Sequence, residues 1–402
     1  MIKINLFIII ILICSCEENN KAQKANDQLY SIGLTKSEAI KKSKETFSIF
    51  KNTNILKREI EMERSSILLN DLEMKFDVKF FGEKPKDGWD LYFSLHGGGG
   101  VADSYNENQW LRYMNLYTLE QGILLTPRSP TNTWNMWHQK HIDAFFNRLI
   151  QNMFILYNVN PNRVYLMGYS AGGDGVFQLA PRMSDRFAAA SMMAGHPNET
   201  LPIGLRNIGF TIHMGENDSL YKRNLVAIDW EKRLNELRRN DPGGYSHQVK
   251  IYEGKGHHIS HAKRKGLPKP RVDGLDSSGI TWMSSHNRDP FPKKIVWKQD
   301  DVTHNRFYWL WVDNPEQYSL IIASIQNQNI IIQKSTVDNL KIRLNDTMLD
   351  MDKKVRVTYH GKTIFNDVVP RLHSVITRTI KENGDPMSIF YGEIIISLEG
   401  ED

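Results

Sequence analysis

The chain has 402 residues, of which 40% are hydrophobic and 24% charged, and its formal net charge is +5. This length provides a sizeable core and room for two domains. The small net charge, with one short basic run at 263–265, argues against a nucleic-acid-binding protein. Both cysteines, Cys14 and Cys16, lie near the N-terminal end, so the rest of the chain cannot form an internal disulfide.

Residues 1–16 have the pattern of an export signal. Lys3 gives a positive start, and the apolar segment 6–13 is too short to span a bilayer as a stable helix. The sequence ICSC at 13–16 resembles a bacterial lipobox, in which Cys16 would carry the lipid; an ordinary signal peptide cut near Ser15 is the alternative. Residues 17 to about 30 are polar and predict a flexible tether. We expect a lipid-anchored protein of the bacterial cell envelope, on the outer membrane or the cell surface.

Short apolar runs alternating with helical patterns predict an α/β fold with a doubly wound, mostly parallel sheet. An alternating segment at 74–80 predicts a half-exposed strand near the sheet edge. The further predicted strands are 91–95, 122–127, 163–167, 187–193, 209–214 and 248–252, and the predicted helices are 36–50, 142–157, 173–180 and 229–239.

The sequence GYSAG at 168–172 has the G-x-S-x-G spacing of a nucleophile elbow around Ser170. Such a serine sits on a sharp strand-to-helix turn, where the residues two positions away on either side must be small. Its Oγ is then exposed at the positive end of the following helix. The spacing alone is weak evidence, but here a predicted strand precedes it and a predicted helix follows it.

Four consecutive glycines, Gly97 to Gly100, follow His96 at the end of a predicted strand. Their backbone freedom would let N–H groups turn towards a substrate oxyanion. A plain glycine-rich turn or a phosphate loop is the alternative, but the Lys-Ser/Thr pair of a Walker loop is absent.

Two further loops follow predicted strands and carry an acid and a base. Asp218 follows the strand at 209–214, with Glu216 as the second choice, and His257 follows the last strand, with His258 as the second choice. The order Ser, Asp, His is that of the α/β-hydrolases. His257 and His261 have the spacing of two metal ligands on a helix, but the glutamate of an H-E-x-x-H site is missing, so we expect no metal.

These motifs resemble the α/β-hydrolase superfamily, and most closely the secreted esterases related to polyhydroxybutyrate depolymerases, feruloyl esterases and prolyl-oligopeptidase-like hydrolases. The resemblance covers roughly residues 60–270. It implies that Ser170 is the nucleophile, His257 the base and Asp218 the orienting acid. The N–H groups of Ala171 and of a glycine near Gly98 would form the oxyanion hole, and no cofactor is needed.

A loop rich in polar residues after the strand at 122–127 contains Trp134, Trp137 and His138. Loops at the strand ends of an open α/β sheet commonly form the binding crevice. We therefore predict that these three side chains line a substrate pocket, together with Tyr169 next to the serine. The alternative is that the tryptophans cover the core.

From about residue 274 the pattern changes to short strands separated by turn residues, which predicts a small β-sandwich of immunoglobulin-like form. The predicted strands are 306–312, 319–325, 330–333, 340–344, 355–359, 363–368 and 393–398. A structural module is the favoured role, and glycan binding through Tyr308, Trp309 and Trp311 is the alternative. The predicted organisation is a signal peptide at 1–16, a tether and helix at 17–55, a hydrolase domain at 56–273, and a linker and sandwich at 274–402.

Taken together, the sequence predicts a lipid-anchored serine hydrolase of small or polymer-linked carboxylic esters, with polysaccharide-linked acyl or feruloyl esters as the favoured substrates. A serine peptidase of the prolyl-oligopeptidase-like type is one alternative. A catalytically silent lipoprotein that binds a glycan or polymer is the other.

Overall fold

A computed structural model describes residues 33–259 and 276–398. The predicted signal segment with Cys16, the tether and His261 lie outside these residues. Within the described ranges, no helix combines the length and the apolar character that a membrane span requires.

The N-terminal part of the described chain forms one eight-stranded sheet with the order β1-β2-β4-β3-β5-β6-β7-β8. The strands from β3 to β8 run parallel, and β1 and β2 pair antiparallel at one edge. The central strands are buried along most of their length, as the uninterrupted apolar runs predict. Their bounds are β1 Ser66–Leu69, β2 Leu72–Phe81, β3 Trp89–Leu95, β4 Gly122–Pro127, β5 Val159–Tyr169, β6 Ala189–Met193, β7 Gly209–Gly215 and β8 His247–Tyr252.

Helices cover both faces of this sheet, so the predicted doubly wound fold is confirmed. Alternate residues of a strand point to opposite faces; Leu91 and Phe93 enter one apolar core, whereas Tyr92 enters the other. The helices are α1 Lys36–Glu63, α2 Asp103–Tyr113, α3 Lys140–Tyr157, α4 Ala171–Arg182, α5 Arg223–Asn240 and α6 Asp276–Ser284.

The C-terminal part contains two further sheets that share one apolar core. One has the order β10-β11-β14-β17 and the other the order β16-β15-β13-β12-β9. The strands are β9 Lys294–Lys298, β10 Arg306–Phe307, β11 Leu310–Trp311, β12 Leu320–Gln326, β13 Asn329–Ser335, β14 Asn339–Leu344, β15 Val355–Tyr359, β16 Lys362–Asp367 and β17 Gly392–Ser397, and α7 His373–Asn383 is the helix.

This domain differs from the expected immunoglobulin-like form in two respects. β13 and β15 pair parallel, and the amphipathic helix α7 contributes Val375, Ile376 and Ile380 to the core. The alternative role of this domain, glycan binding through Tyr308, Trp309 and Trp311, does not fit the positions of these side chains. Tyr308 and Trp309 are buried in that core, and one face of Trp311 is covered by the guanidinium of Arg343 at 4.3 Å. Two buried rings cannot offer a face to a sugar.

The predicted segment boundaries need correction at both ends of the hydrolase part. Helix α1 continues to Glu63, past the boundary expected at 55, and it packs on both α3 and α7. The expected linker after 274 contains α6, which packs on β5, β6 and β7 of the large sheet. Helix α6 therefore belongs to the hydrolase part, because it covers that sheet's second core.

Candidate active site

Ser170 lies between the end of β5 and the start of α4, in the predicted elbow. Its φ of 59° and ψ of −126° are unusual for a residue with a side chain. Two backbone hydrogen bonds hold this conformation: the N–H of Ser170 donates to the oxygen of Met193, and its carbonyl accepts from the N–H of Asp174, each at 2.9 Å.

The two glycines of the motif are required by the close approach of backbone on either side. A Cβ added to Gly168 would lie 2.2 Å from the oxygen of Gly172, and one added to Gly172 would lie 2.2 Å from the oxygen of Leu95. Such distances are far inside van der Waals contact. These close approaches explain why the motif requires small residues at both positions.

A continuous chain of hydrogen-bonding groups joins Asp218, His257 and Ser170. The Nε2 of His257 lies 3.0 Å from Ser170 Oγ, and its Nδ1 lies 2.8 Å from Asp218 Oδ2. Asp218 is buried on the loop after β7, and Nη1 of the buried Arg223 lies 3.6 Å from its other oxygen. An ionised carboxylate can only accept, so Nδ1 donates to it and Nε2 is free to accept from the serine hydroxyl.

The structure brings His257 and Asp218, rather than their alternatives, to Ser170. Glu216 accepts a hydrogen bond from the N–H of Gly254 at 2.8 Å and so ties the loop after β8. His258 lies beside His257, with ring centroids 5.9 Å apart, and lines the adjoining pocket.

The glycine loop is held by two buried polar side chains. Gly98 has a φ of +119°, and a Cβ there would lie 2.0 Å from Oδ1 of Asn106, whose amide bonds both the N–H and the carbonyl of Gly99. His96 donates from Nδ1 to the oxygen of Gly97 at 2.7 Å and accepts from the N–H of Ser129 at 3.2 Å. Burial lowers the pKa of His96 to about 3, so the imidazole stays neutral.

This arrangement sets the direction of one candidate oxyanion donor. In a planar trans peptide the N–H points opposite to the carbonyl, and the described chain contains no cis peptide. Because His96 holds the oxygen of Gly97, the N–H of Gly98 points away from His96. The second candidate donor, the N–H of Ala171, opens helix α4 directly after the serine.

A pocket of about 140 Å³ adjoins Ser170 and His257. Its outer wall is formed by α2 and the turn after it, which the sequence analysis did not assign to the site. Four tyrosine rings line it, with Gln109, Arg112 and Leu116 between them: Tyr105, Tyr113, Tyr117 and Tyr169. Helix α2 carries mostly polar residues without a strong apolar stripe, so only the cluster of tyrosines at 105–117 could have indicated the wall.

Arg112 brings a positive charge to this pocket. The two acidic residues of α2, Asp103 and Glu107, both pair with Arg128 instead. In the described part of the chain no carboxylate lies within ion-pair distance of Arg112, and no carboxylate lines the pocket.

Two of the predicted pocket residues lie in the core instead. Trp137 is fully buried and donates from Nε1 to the oxygen of His96 at 3.0 Å. His138 is buried as well, and burial lowers its pKa to about 4. Trp134 is 64% exposed and its backbone lies near the glycine loop, 3.5 Å from where a Cβ on Gly99 or Gly100 would be, but it does not line the pocket. Tyr169 does line it.

One group of carboxylates in the described residues could share a cation: Glu199, Asp300 and Asp301. None of the three lines the pocket at Ser170. All three already accept hydrogen bonds: Glu199 from Gln178, Asp300 from Thr200 and Asp301 from the N–H of Val302.

Comparison with known proteins places this domain in a family context. Residues 114–278 match the model of the dienelactone hydrolase family, a range that includes Ser170, Asp218 and His257. No curated protein matches the chain. The family match confirms the predicted α/β-hydrolase fold.

Several solved structures share part of the fold at low identity. A thermostable esterase is 18% identical with a TM-score of 0.42, covering 56% of this chain and 62% of its own, which is less than two thirds. A poly(3-hydroxybutyrate) depolymerase from Bordetella parapertussis is 15% identical with a TM-score of 0.36, covering 47% and 81%. A feruloyl esterase module from Clostridium thermocellum, complexed with sinapinate, is 13% identical with a TM-score of 0.36, covering 48% and 80%.

Proposed function

Given an α/β-hydrolase domain that matches the dienelactone hydrolase family, we propose that the protein is a serine hydrolase of carboxylic esters. Ser170 is the nucleophile, His257 the general base and Asp218 the acid that orients it. The observation that carries the proposal is the unbroken chain of contacts from Asp218 Oδ2 through His257 to Ser170 Oγ, at 2.8 and 3.0 Å, on the wall of a pocket.

The reaction follows from this geometry. Ser170 Oγ attacks the ester carbonyl carbon while His257 Nε2 takes the hydroxyl proton, and the N–H groups of Gly98 and Ala171 stabilise the oxyanion. Collapse of the intermediate breaks the ester C–O bond, and the imidazolium returns the proton to the departing alcohol. Water then repeats the sequence on the acyl-enzyme and releases the carboxylic acid.

The pocket favours an aromatic acyl group. Its volume of about 140 Å³ is close to the roughly 150 Å³ of an apolar cavity known to hold a benzene ring. Its tyrosine rings offer faces and edges for aromatic stacking, and the guanidinium of Arg112 can donate hydrogen bonds to oxygen substituents on the acyl ring. We propose that the substrates are esters of aromatic acids of the feruloyl kind. The acyl group would occupy the pocket, and the polysaccharide sugar whose hydroxyl is esterified would remain outside it.

We also propose that the enzyme is anchored to the cell envelope by a lipid on Cys16. The support is the lipobox-like sequence at 13–16 after a short apolar segment. Metabolic labelling with a fatty-acid analogue tests this, because Cys16→Ser should lose the label and Cys14→Ser should keep it. Label that persists in Cys16→Ser would refute the anchor.

Covalent labelling tests the nucleophile. The protein is treated with a fluorophosphonate probe and its intact mass compared with that of Ser170→Ala, and Ser335→Ala in the C-terminal domain is the control. We expect a single adduct that only Ser170→Ala loses. No adduct on folded protein would instead favour a silent binding module. A panel of aryl esters, alkyl esters and peptides then separates an aromatic esterase from a peptidase.

A further inference from the structure

Tyr169 connects the two sides of the proposed catalytic centre. It is the last residue of β5 and is joined by its peptide bond to Ser170. Its hydroxyl donates to the carbonyl oxygen of His257 and lies 3.4 Å from the N–H of Ile259, from which it accepts. Its ring lies beside the imidazole of His257, with centroids 5.6 Å apart.

The histidine loop depends on this hydroxyl for its backbone contacts. Residues 257–259 follow β8 and belong to no strand or helix. Within the described ranges, the Tyr169 hydroxyl is the hydrogen-bond partner of both the His257 carbonyl and the Ile259 N–H. The side chain of Ile259 is fully buried, so its N–H, if left without an acceptor, would carry a desolvation cost.

We propose that Tyr169 is a positioning residue, whose hydroxyl holds the His257 loop so that Nε2 stays within hydrogen-bond reach of Ser170 Oγ. This inference rests on the proposed function of Ser170 and His257. A single side chain thereby fixes the base relative to the nucleophile that follows it in the chain. Burial raises the pKa of Tyr169, so the phenol remains protonated and able to donate.

The consequence for rate follows from the short distance involved. The contact between Nε2 and Oγ is 3.0 Å, and a displacement of about 1 Å would take the two atoms beyond hydrogen-bond reach, a misplacement that can cost about 10²-fold in rate. Phenylalanine at 169 keeps the ring on the pocket wall but leaves both backbone groups without their partner. Tyr169→Phe should therefore lower kcat while the pocket, and with it KM, is preserved.

The experiment compares Tyr169→Phe with Tyr245→Phe in the full-length protein. Tyr245 is a matched control, because it is buried and its hydroxyl also donates to a backbone carbonyl, that of Ile203 at 3.1 Å, but it does not line the pocket. The readouts are kcat and KM on an aryl ester, the rate of fluorophosphonate labelling, and hydrogen exchange of the Ile259 amide. For Tyr169→Phe we expect kcat and labelling to fall about 10- to 100-fold, KM to stay within about twofold and Ile259 to exchange faster. Tyr245→Phe should leave all four unchanged.

Two results would overturn the proposal: unchanged kcat and labelling in Tyr169→Phe, or a rise in KM alone, which would make the hydroxyl a substrate contact. Failure of the proposed function is distinguishable, since the wild-type protein would then neither turn over esters nor take the probe. In that case the rate of hydrogen exchange of the Ile259 amide tests the contact between Tyr169 and the loop. Faster exchange in Tyr169→Phe alone supports the tie between Tyr169 and the loop, and equal exchange in both variants refutes it.

Discussion

Replacing Asp218 with asparagine tests the proposed acid through the tautomer of His257. One carboxylate oxygen of Asp218 faces His257 Nδ1 at 2.8 Å and the other lies 3.6 Å from Arg223 Nη1. Asparagine keeps this shape, but one end of its amide accepts and the other donates. The guanidinium of Arg223 selects the amide oxygen, so the NH₂ group turns to Nδ1. Nδ1 must then accept, and the proton moves to Nε2, where it faces the serine.

The expected loss can be estimated from this change. An Nε2 that already carries a proton cannot take one from Ser170, and the corresponding substitution in a serine-protease triad lowers kcat about 10⁴-fold. At 1.36 kcal/mol per tenfold, this is about 5.4 kcal/mol of transition-state stabilisation. The lost charge beside the buried Arg223 should cost about 1–3 kcal/mol of folding stability. Since domains have about 5–15 kcal/mol to lose, Asp218→Asn should remain folded.

The assay is kcat and KM on an aryl ester, with folding checked by denaturant titration. Glu216→Gln is the control, because the oxygen of a glutamine amide can still accept from the N–H of Gly254. We expect Glu216→Gln to stay within a few-fold of the wild type. The reasoning is refuted if Asp218→Asn keeps more than about a tenth of wild-type kcat, or if Glu216→Gln is the more damaged variant.

Three further predictions concern the elbow, the pocket and pH. Gly168→Ala, whose Cβ would lie 2.2 Å from a backbone oxygen of α4, should lower the free energy of unfolding by more than about 4 kcal/mol, measured by denaturant titration. Arg112→Gln should lower kcat/KM about tenfold for anionic aryl esters relative to neutral ones. Burial lowers the pKa of His96 to about 3 and the pKa values of His138 and His213 to about 4, so the unfolded chain binds more protons below about pH 6.5. Each of these three histidines should lower the free energy of unfolding by up to about 1.4 kcal/mol per pH unit towards pH 4. Asp174, whose pKa burial raises to about 6, has the opposite effect and offsets the slope of one histidine between about pH 4 and 6. Denaturant titrations from pH 7 to 4 measure the net slope.

The large sheet could be predicted from the sequence because its central strands are buried on both faces and are therefore uninterrupted apolar runs. The segment at 122–127 is such a run and becomes β4. The candidate site could also be predicted from the sequence, since Ser170, Asp218 and His257 each follow a predicted strand. Parallel strands end at one edge of the sheet, so the fold itself brings the loops after β5, β7 and β8 together.

The pocket wall could not be predicted, because no local sequence pattern marks it. Helix α2 is amphipathic only weakly and carries polar residues on most of its surface. Its tyrosines face Ser170 because of where the glycine loop directs the chain, which is a long-range property. Trp137 was wrongly assigned to the substrate pocket for a similar reason. Nothing in the local sequence distinguishes a tryptophan that covers the core from one that faces a substrate.

In the C-terminal domain, one glycine has the backbone conformation typical of a turn but lies at the end of a helix, not between two strands. The pair Asn383-Gly384 has the composition of a turn between strands, and Gly384 does have a φ of +61°. It ends helix α7 instead, because a glycine in the left-handed region serves equally well as a helix C-cap. The amphipathic spacing of Val375, Ile376 and Ile380 was the signal that favoured a helix.

The groups that are proposed to react are few, but each depends on a neighbour that no motif specifies. His96 fixes the peptide that contains the N–H of Gly98, Arg223 lies against the second oxygen of Asp218, and Tyr169 ties the loop of His257. All three partners are buried or half-buried polar side chains within five residues, in sequence, of a motif residue. Residues at the ends of strands leave the hydrogen-bonded ladder, so their side chains can take any orientation unless a contact of this kind selects one. The geometry proposed for ester hydrolysis is therefore a property of these pairs, and substitutions of the partners should change rate before they change binding.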